Sequence, residues 1–168
     1  QVINIICKNL SISPSSLQKM CNNFLPQDIV ILSIEEMPLN FHPTLDAIGK
    51  EYHYIVSCAK NRNPFTSRYS WHYPYQISLE LMQEAAESLL GEHDFIAFAN
   101  HKKNDPYKST IRTLNRLDIF EFSDSIFQFE IEGNSFLYKM VRNIVGSLLY
   151  VGCGKLSLEQ FVQIIKNK

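Results

Sequence analysis

Apolar and polar positions along the chain follow two rhythms, one typical of helices and one typical of strands. Apolar residues at three- and four-residue steps predict helices at 15–24, 79–90, 134–149 and 157–166. Apolar or alternating runs predict strands at 2–7, 28–37, 52–59, 110–122 and 126–132. Residues 123–125 read as a hairpin turn between the last two strands. The order β-α-β-β-α-β-β-α-α predicts an α+β fold with a largely antiparallel sheet covered by helices.

A polar stretch at residues 38–50 is the one candidate seam between two β-rich blocks. A length of 168 residues is enough for one well-cored domain or for two small halves sharing a sheet. The chain starts at Gln1 inside a strand-like run, so we expect a piece of a longer protein. No apolar run is long enough to cross a bilayer, and no signal-peptide pattern occurs, so we expect no membrane association.

The helix predicted at 134–149 contains the first candidate functional residues, two cations. Its apolar face implies a mostly buried helix, yet Lys139 and Arg142 lie three residues apart on one stripe. Burying an unpaired cation costs several kcal/mol, on the order of ~3–5. The group that meets these cations is therefore a carboxylate, an RNA phosphate or water. An Arg142 ion pair with a catalytic carboxylate and a purely structural pair are equally consistent with the pattern.

Net charge of −1 does not identify a nucleic-acid-binding protein, but the charges are segregated along the chain. One basic stretch contains Lys102, Lys103, Lys108, Arg112 and Arg116. A second contains Lys60, Arg62 and Arg68 beside three aromatic residues. Acidic residues concentrate at 80–92 and 118–132. This distribution is consistent with one basic face, or with two solvated loops.

Other candidate sites are weaker. Tyr52 and Tyr54 share one face of a predicted strand, where they either stack on a base or pack as ordinary strand tyrosines. The run Glu92-His93-Asp94 follows a helix predicted to end at Gly91, and a turn in which Asp94 accepts from backbone N–H groups is favoured over a metal site. The four cysteines lack metal-ligand spacing and are expected to be free thiols. No nucleophile or phosphate-loop motif is present.

Several phrases of the sequence closely resemble the TruA-type tRNA pseudouridine synthases, in that family's order and approximate spacing. These phrases are Phe41-His42, Lys50-Glu51-Tyr52-His53-Tyr54, Leu90-Gly91-Glu92-His93-Asp94-Phe95, Ile111-Arg112-Thr113 and Met140-Val141-Arg142-Asn143-Ile144-Val145-Gly146. The resemblance covers nearly the whole chain, and the last phrase is the most specific. It implies two ferredoxin-like halves, with 1–45 the remainder of the N-terminal half and 46–168 a truncated C-terminal half.

The resemblance also implies an activity, the isomerisation of uridine to pseudouridine at positions 38 to 40 of the tRNA anticodon stem-loop. The target nucleotide is flipped out of its stack, and an aspartate attacks it without metal or organic cofactor. Tyr52 matches the tyrosine that stacks on the base and takes part in proton removal, and Arg142 matches the arginine that pairs with the nucleophile. Substrate contacts are expected from Tyr52, Lys102, Lys103, Lys108, Arg112 and Lys139. Thr44 stands where the family has an arginine.

One phrase of the family is missing from this sequence, the Arg-Thr-Asp-x-Gly-Val-His run that carries the nucleophile. Gln1 corresponds to a position just downstream of it, so we expect this polypeptide alone to be inactive. The resemblance further implies a cytoplasmic homodimer that binds tRNA. The alternative interpretation is a non-catalytic RNA-binding module that keeps the cleft without the chemistry.

Overall fold

The computed structural model describes residues 1–7, 10–100 and 107–166. The chain divides into two compact units, Gln1–Ala47 and Ile48–Lys168. We call them unit 1 and unit 2. Their assignment to the two halves of a larger fold stays a prediction. No helix among the described residues combines the length and apolar character needed to span a bilayer.

Unit 1 contains one helix, α1 (Pro14–Phe24), at the position expected from the sequence. Ser13 caps it by accepting a hydrogen bond from the Ser16 backbone N–H, and Pro14 occupies the first turn, where its missing N–H costs nothing. The helix buries none of its side chains within the described residues.

The strands predicted at 2–7 and 28–37 are wrong, because neither run forms a strand in the structure. A strand requires a neighbour for its N–H and C=O groups, and no described residue of unit 1 supplies a ladder. The backbone of Ile31 is bonded instead to the side chain of Asn22, which accepts from the N–H at 2.8 Å and donates to the C=O at 3.0 Å. Side-chain amides of α1 thus replace the expected strand partner.

Unit 2 is an open sheet covered on one face by helices. Its strands are β1 (Lys50–Ser57), β2 (Trp71–His72), β3 (Gly91–Asp94), β4 (Ile111–Ser123) and β5 (Ile126–Gly133). Its helices are α2 (Leu79–Glu87), α3 (Met140–Gly152) and α4 (Leu158–Lys166), with a short 3₁₀ helix at Ile96–Phe98. The strand order is β2-β1-β5-β4-β3, and every pairing except β1 with β2 is antiparallel. The α+β prediction is confirmed.

The succession β1, α2, β4, β5, α3 carries the topology. With β5 between β1 and β4, these elements match the first five of a ferredoxin-like β-α-β-β-α-β unit. The two-residue β2 and the four-residue β3 add to the outer strands. The predicted hairpin is confirmed, since β4 ends at Ser123 and β5 begins at Ile126.

The core lies between the sheet and the helices. In β5, Phe127, Phe129 and Ile131 are buried while the alternate residues are not, as a half-covered strand requires. Helix α3 contributes an apolar face to this core along its whole length. Its buried residues are Met140, Val141, Ile144, Val145, Leu148, Leu149, Val151 and Gly152. The opposite face of the sheet carries charged and polar side chains, described below.

Two helix boundaries differ from expectation. The helix predicted at 79–90 ends at Glu87 with Ser88 as its C-cap, and Gly91 (φ 89°) opens β3 instead of capping the helix. The helix predicted at 134–149 begins only at Met140, because Lys139 adopts the left-handed conformation with φ 61° and ψ 9°. The second difference changes the site, because it removes residues 134–139 from the helix.

Candidate active site

Tyr52 is placed by the alternation of β1. Tyr52, Tyr54 and Val56 point to the helix-covered face of the sheet. Val56 is fully buried, whereas Tyr52 near the start of the strand is 44% exposed. Its backbone is held in register opposite Ile131 of β5. The backbone of Tyr52 is therefore held by the sheet, while its side chain is partly exposed to solvent.

The segment 134–139 turns back over this end of β1 after β5 stops at Gly133. Asn134 starts the turn, since its Oδ1 accepts hydrogen bonds from the N–H groups of Thr113 at 3.2 Å and Ser135 at 2.7 Å. Phe136 then meets Tyr52 edge to face, with ring centroids 5.0 Å apart and planes at 82°. The first turn of α3 follows directly.

A hydrogen-bond network anchors this segment and the start of α3. The Tyr107 hydroxyl accepts from the Tyr138 N–H at 2.8 Å and donates to the Asn100 carbonyl at 3.0 Å. Asn143 of α3 donates to the Phe98 carbonyl at 2.7 Å and to the Asn100 side-chain oxygen at 2.8 Å. Three separate pieces of chain are thereby tied together next to the left-handed turn at residue 139.

A pocket of about 400 Å³ opens between β1, the segment 134–139 and α3. Its lining comprises Tyr52, Tyr54, Phe136, Leu137, Tyr138, Lys139, Met140, Val141 and Arg142. The structure thus brings together three of the residues singled out in the sequence: Tyr52, Lys139 and Arg142. An apolar, aromatic wall with a few polar groups at its rim is typical of small-ligand sites, and the volume falls within their usual range of about 300–1,000 Å³.

Neither of the two cations is buried. Because α3 starts at Met140, Lys139 and Arg142 lie at its first turn, and both side chains are exposed. The Lys139 Nζ lies 5.3 Å from the centroid of the Tyr138 ring. The Arg142 guanidinium forms no hydrogen bond or ion pair with any residue in the described part of the chain. None of the described carboxylates is therefore the partner considered from the sequence.

Two further predicted contacts, Lys108 and Arg112, are not part of the pocket lining. Arg112 donates from Nη1 to the backbone carbonyls of Ser109 at 3.1 Å and Ile111 at 2.6 Å, so its guanidinium braces the start of β4. Lys108 is exposed. Lys102 and Lys103 lie outside the described residues. The aromatic lining residues Phe136 and Tyr138 were not identified from the sequence, because a helix across 134–149 would have turned them differently.

Arg116, counted in the basic stretch, belongs to an acidic cluster on the uncovered face of the sheet. Its guanidinium donates to Glu51 at 2.6 Å, Glu130 at 2.7 Å and Asp118 at 3.0 Å. Glu132 lies 3.6 Å from its Nε. Hydrogen bonds from Arg116 and then Gln128 lower the pKa of Glu130. This face of unit 2 thus has an excess of negative charge, unlike the pocket.

Three ligand-type side chains also meet on that face. One ligand atom from each of Glu51, His53 and Glu130 lies within 4.8 Å of the others. His53 Nε2 is 2.8 Å from Glu51 Oε1, and this hydrogen bond is the first cause of the lowered pKa of Glu51. Both carboxylates already bind Arg116, so a guanidinium occupies the position that a metal ion would need.

The smaller sequence interpretations have mixed outcomes. His93 Nε2 lies 2.8 Å from the Leu90 carbonyl, and Asp94 Oδ1 accepts from the Ile96 N–H at 3.0 Å, which confirms the predicted turn in which Asp94 accepts from a backbone N–H. The four cysteines Cys7, Cys21, Cys58 and Cys153 carry free thiols. Burial raises the pKa of the Cys58 thiol to about 11, with a further contribution from Glu121, so this thiol is a poor nucleophile at neutral pH.

Comparisons with known proteins identify the family of this chain. Residues 85–168 match the family described as tRNA pseudouridine synthase. The chain is 42% identical over 171 residues to tRNA pseudouridine synthase A 2 of Protochlamydia amoebophila (strain UWE25), which covers 100% of this chain and 64% of that protein. It is 38% identical over 168 residues to tRNA pseudouridine synthase A of Fervidobacterium nodosum, covering 100% of the chain and 68% of the relative.

A third relative, tRNA pseudouridine synthase A of Chlamydia felis, is 45% identical over 156 residues, with 92% of this chain and 57% of the relative covered. The chain therefore spans somewhat more than half to about two thirds of the length of these curated relatives. With a family match over half of its residues and this degree of identity, the chain belongs to the tRNA pseudouridine synthase family.

Proposed function

We propose that the protein isomerises uridine to pseudouridine in the anticodon stem-loop of tRNA, at positions 38 to 40. The observation that carries this proposal is that Tyr52 and Arg142 line the same pocket. They are 90 residues apart in the sequence and belong to different elements. The reaction needs an aromatic ring to receive the extruded base and a cation to hold a nucleophilic carboxylate ionised and oriented.

The rim of the pocket is suited to an anionic ligand. Helix α3 has no acidic residue in its first turn and instead carries Lys139 and Arg142 there. Cations at a helix N-terminus oppose the macrodipole, at a cost of about 0.3–1 kcal/mol each. A negative group bound at this helix start, either a phosphate of the substrate or a carboxylate, would offset that cost.

We propose that the nucleophilic aspartate comes from a part of the polypeptide that does not line the described pocket. The lining contains no Asp or Glu among the described residues. An aspartate that approaches Arg142 would replace the water that solvates it, and the guanidinium would lower the pKa of that carboxyl. Tyr52 stacks on the base and takes part in removing its proton. Lys139 contacts a phosphate, and Lys102, Lys103, Lys108 and Arg112 contribute further substrate contacts.

The assembly and setting of the protein are part of the same proposal. We propose a cytoplasmic homodimer that binds tRNA and needs neither a metal nor an organic cofactor. The relatives are named as tRNA pseudouridine synthases, which supports tRNA as the substrate.

Tritium release from tRNA labelled at C5 of uridine tests the proposal. We expect the full gene product to release tritium and the chain described here to release none. Arg142→Gln in the full gene product should lower the rate by about 10²-fold, the cost of misplacing a catalytic group by about 1 Å. Because the Arg142 side chain is exposed, the unfolding free energy of the variant should stay within about 0.5 kcal/mol of that of the parent protein. Lys166→Gln on α4 serves as the matched control.

The non-catalytic RNA-binding module remains a second candidate. It predicts tRNA binding by the full gene product with no tritium release. Turnover by the full gene product excludes it, whereas turnover by this chain alone contradicts the proposed source of the nucleophile.

A further inference from the structure

A second concave surface lies at the other end of β1. Its pocket of about 560 Å³ is lined by Cys58, Lys60, Pro74, Tyr75, Gln76, Ile77, Ser125 and Phe127. The lining contains a cation and an exposed tyrosine. No described carboxylate belongs to the lining itself, and an adjacent acid is Glu121, which accepts a hydrogen bond from the Ser125 N–H at 2.9 Å. Neither the proposed mechanism nor the family comparison assigns a role to this surface.

The chain around this pocket is unusual in composition. Residues 59–78 contain three cations and five aromatic residues but no Asp or Glu, in a protein with 17 acidic residues. Tyr75 is 51% exposed, and Lys60 is exposed as well. Exposed aromatic rings interleaved with cations, without acids, are the pattern with which proteins bind unpaired nucleotides.

The ring of Tyr75 is held in place by its neighbours. The Lys155 ammonium lies 4.5 Å from the Tyr75 centroid. The buried Tyr73 packs against Tyr75 with centroids 4.7 Å apart. A ring fixed in this way offers a stacking surface that does not need to be ordered on binding, which reduces the entropic cost.

A series of aromatic contacts connects this surface with the catalytic pocket. Tyr54, which lines the catalytic pocket, meets Trp71 edge to face at 6.5 Å. Trp71 packs on Tyr73 at 5.3 Å, and Tyr73 on Tyr75. The separation along β1 from Tyr52 to Cys58 is six residues, or about 20 Å at roughly 3.3 Å per residue.

We propose that this surface is a second nucleotide subsite, in which Tyr75 stacks on an unpaired base of the RNA substrate and Lys60 binds its phosphate. The inference rests on the proposed function, because it assigns the bound nucleotide to the same RNA. At a rise of about 3.4 Å per stacked nucleotide, a path of about 20 Å corresponds to roughly six nucleotides from the target uridine.

Charge favours RNA over a second copy of the chain. A two-fold interface centred on this surface would bring Lys60 and Lys155 of one protomer close to the same cationic patch of the other. Like charges opposed in this way disfavour association. A polyanion is the complementary partner.

Binding of labelled tRNA to the full gene product, measured across a salt series, tests the subsite. Tyr75→Ala should weaken binding by about 5- to 150-fold, the range for losing one stacked base. Lys60→Gln should reduce the slope of log Kd against log salt by roughly 0.7, as for one phosphate of a single strand. The matched controls are Phe122→Ala, an exposed aromatic residue of β4, and Lys166→Gln.

Tritium release and oligomeric state are measured on the same samples, to separate failure of the subsite from failure of the proposed function. The parent protein could bind tRNA tightly and turn it over while neither Tyr75→Ala nor Lys60→Gln changes the affinity or the turnover. That result would overturn the subsite proposal alone. If the substitutions change the oligomeric state and leave the tRNA affinity unchanged, the surface binds a protein partner, which would also overturn the subsite proposal. A parent protein that binds no tRNA would overturn both proposals.

Discussion

Tyr52 combines a fixed backbone with a partly exposed ring, which is what stacking on an extruded base requires. Its position on the helix-covered face could be predicted from the sequence, because the alternation of β1 places Tyr52, Tyr54 and Val56 on one side. Its contact with Phe136 could not, since that contact depends on where α3 begins.

Replacing the hydroxyl of Tyr52 separates stacking from proton removal. We expect Tyr52→Phe in the full gene product to keep tRNA affinity nearly unchanged, because the aromatic face remains. Tritium release should be abolished. Tyr150→Phe, which removes a hydroxyl from an exposed ring of α3, provides the control. Full activity of Tyr52→Phe would exclude a role for the hydroxyl in the mechanism.

Arg142 illustrates the limit of the sequence pattern at a single position. The apolar spacing correctly identified the buried face of α3, but it placed the start of the helix at residue 134, so it did not show that Arg142 lies in the first turn. The left-handed conformation of Lys139 ends the irregular segment and begins the helix. No local sequence signal marks this conformation, because residues other than Gly, Asn and Asp adopt it rarely.

The turn from β5 into residues 134–139 depends on close backbone contact. A Cβ at Gly133 would lie 2.6 Å from the Thr113 carbonyl oxygen and 3.3 Å from the Phe136 ring. Thr113 is also the residue whose N–H and C=O bond to Asn134. The glycine therefore permits β4 and β5 to stay close where the pocket begins.

Substitution of Gly133 should disturb both stability and the pocket. We expect Gly133→Ala to lower the free energy of unfolding by about 1–3 kcal/mol, the usual range for overpacking. In contrast, Gly146→Ala on α3 meets nothing within 4 Å and should raise it by about 0.5–1 kcal/mol, through loss of glycine's backbone freedom. Denaturant unfolding of both variants measures the difference. Equal effects would contradict the close approach at Gly133.

In the molecule as a whole, charge is sorted by face more than by segment. The uncovered face of the sheet gathers Glu51, Asp118, Glu130 and Glu132 around Arg116. The sequence showed the acidic run at 118–132 but placed Arg116 with the basic stretch, because pairing between β4 and β5 is not visible in a linear pattern. The strands predicted in unit 1 failed for a related reason, since a strand depends on a partner distant in sequence.

The acidic cluster makes stability depend on pH in a defined direction. The pKa values of Glu51 and Glu130 are lowered from 4.5 in the folded protein. Their contribution is thus present above pH 4.5 and lost as the pH falls through the lower folded-state pKa. Arg116 stays protonated throughout this range, because Glu130 and Asp118 raise its pKa further.

Arg116→Gln should lower the thermal midpoint at pH 7, where four carboxylates lose their shared cation. The difference in thermal midpoint between variant and parent should narrow below pH 4.5, as Glu51 and Glu130 become neutral. Thermal melts between pH 7 and pH 3 measure it, with Arg62→Gln on an exposed loop as the control. A gap that stays constant across this range would show that the ion pairs are not its cause.

The proposed function requires above all that the target uridine enters the pocket between β1 and α3. A tRNA that carries 4-thiouridine at the modified position, bound to the full gene product and irradiated, tests this directly. We predict crosslinks to peptides containing Tyr52 or residues 136–142. Crosslinks that fall instead on the acidic face around Arg116, with residues 52 and 136–142 unmodified, would contradict it.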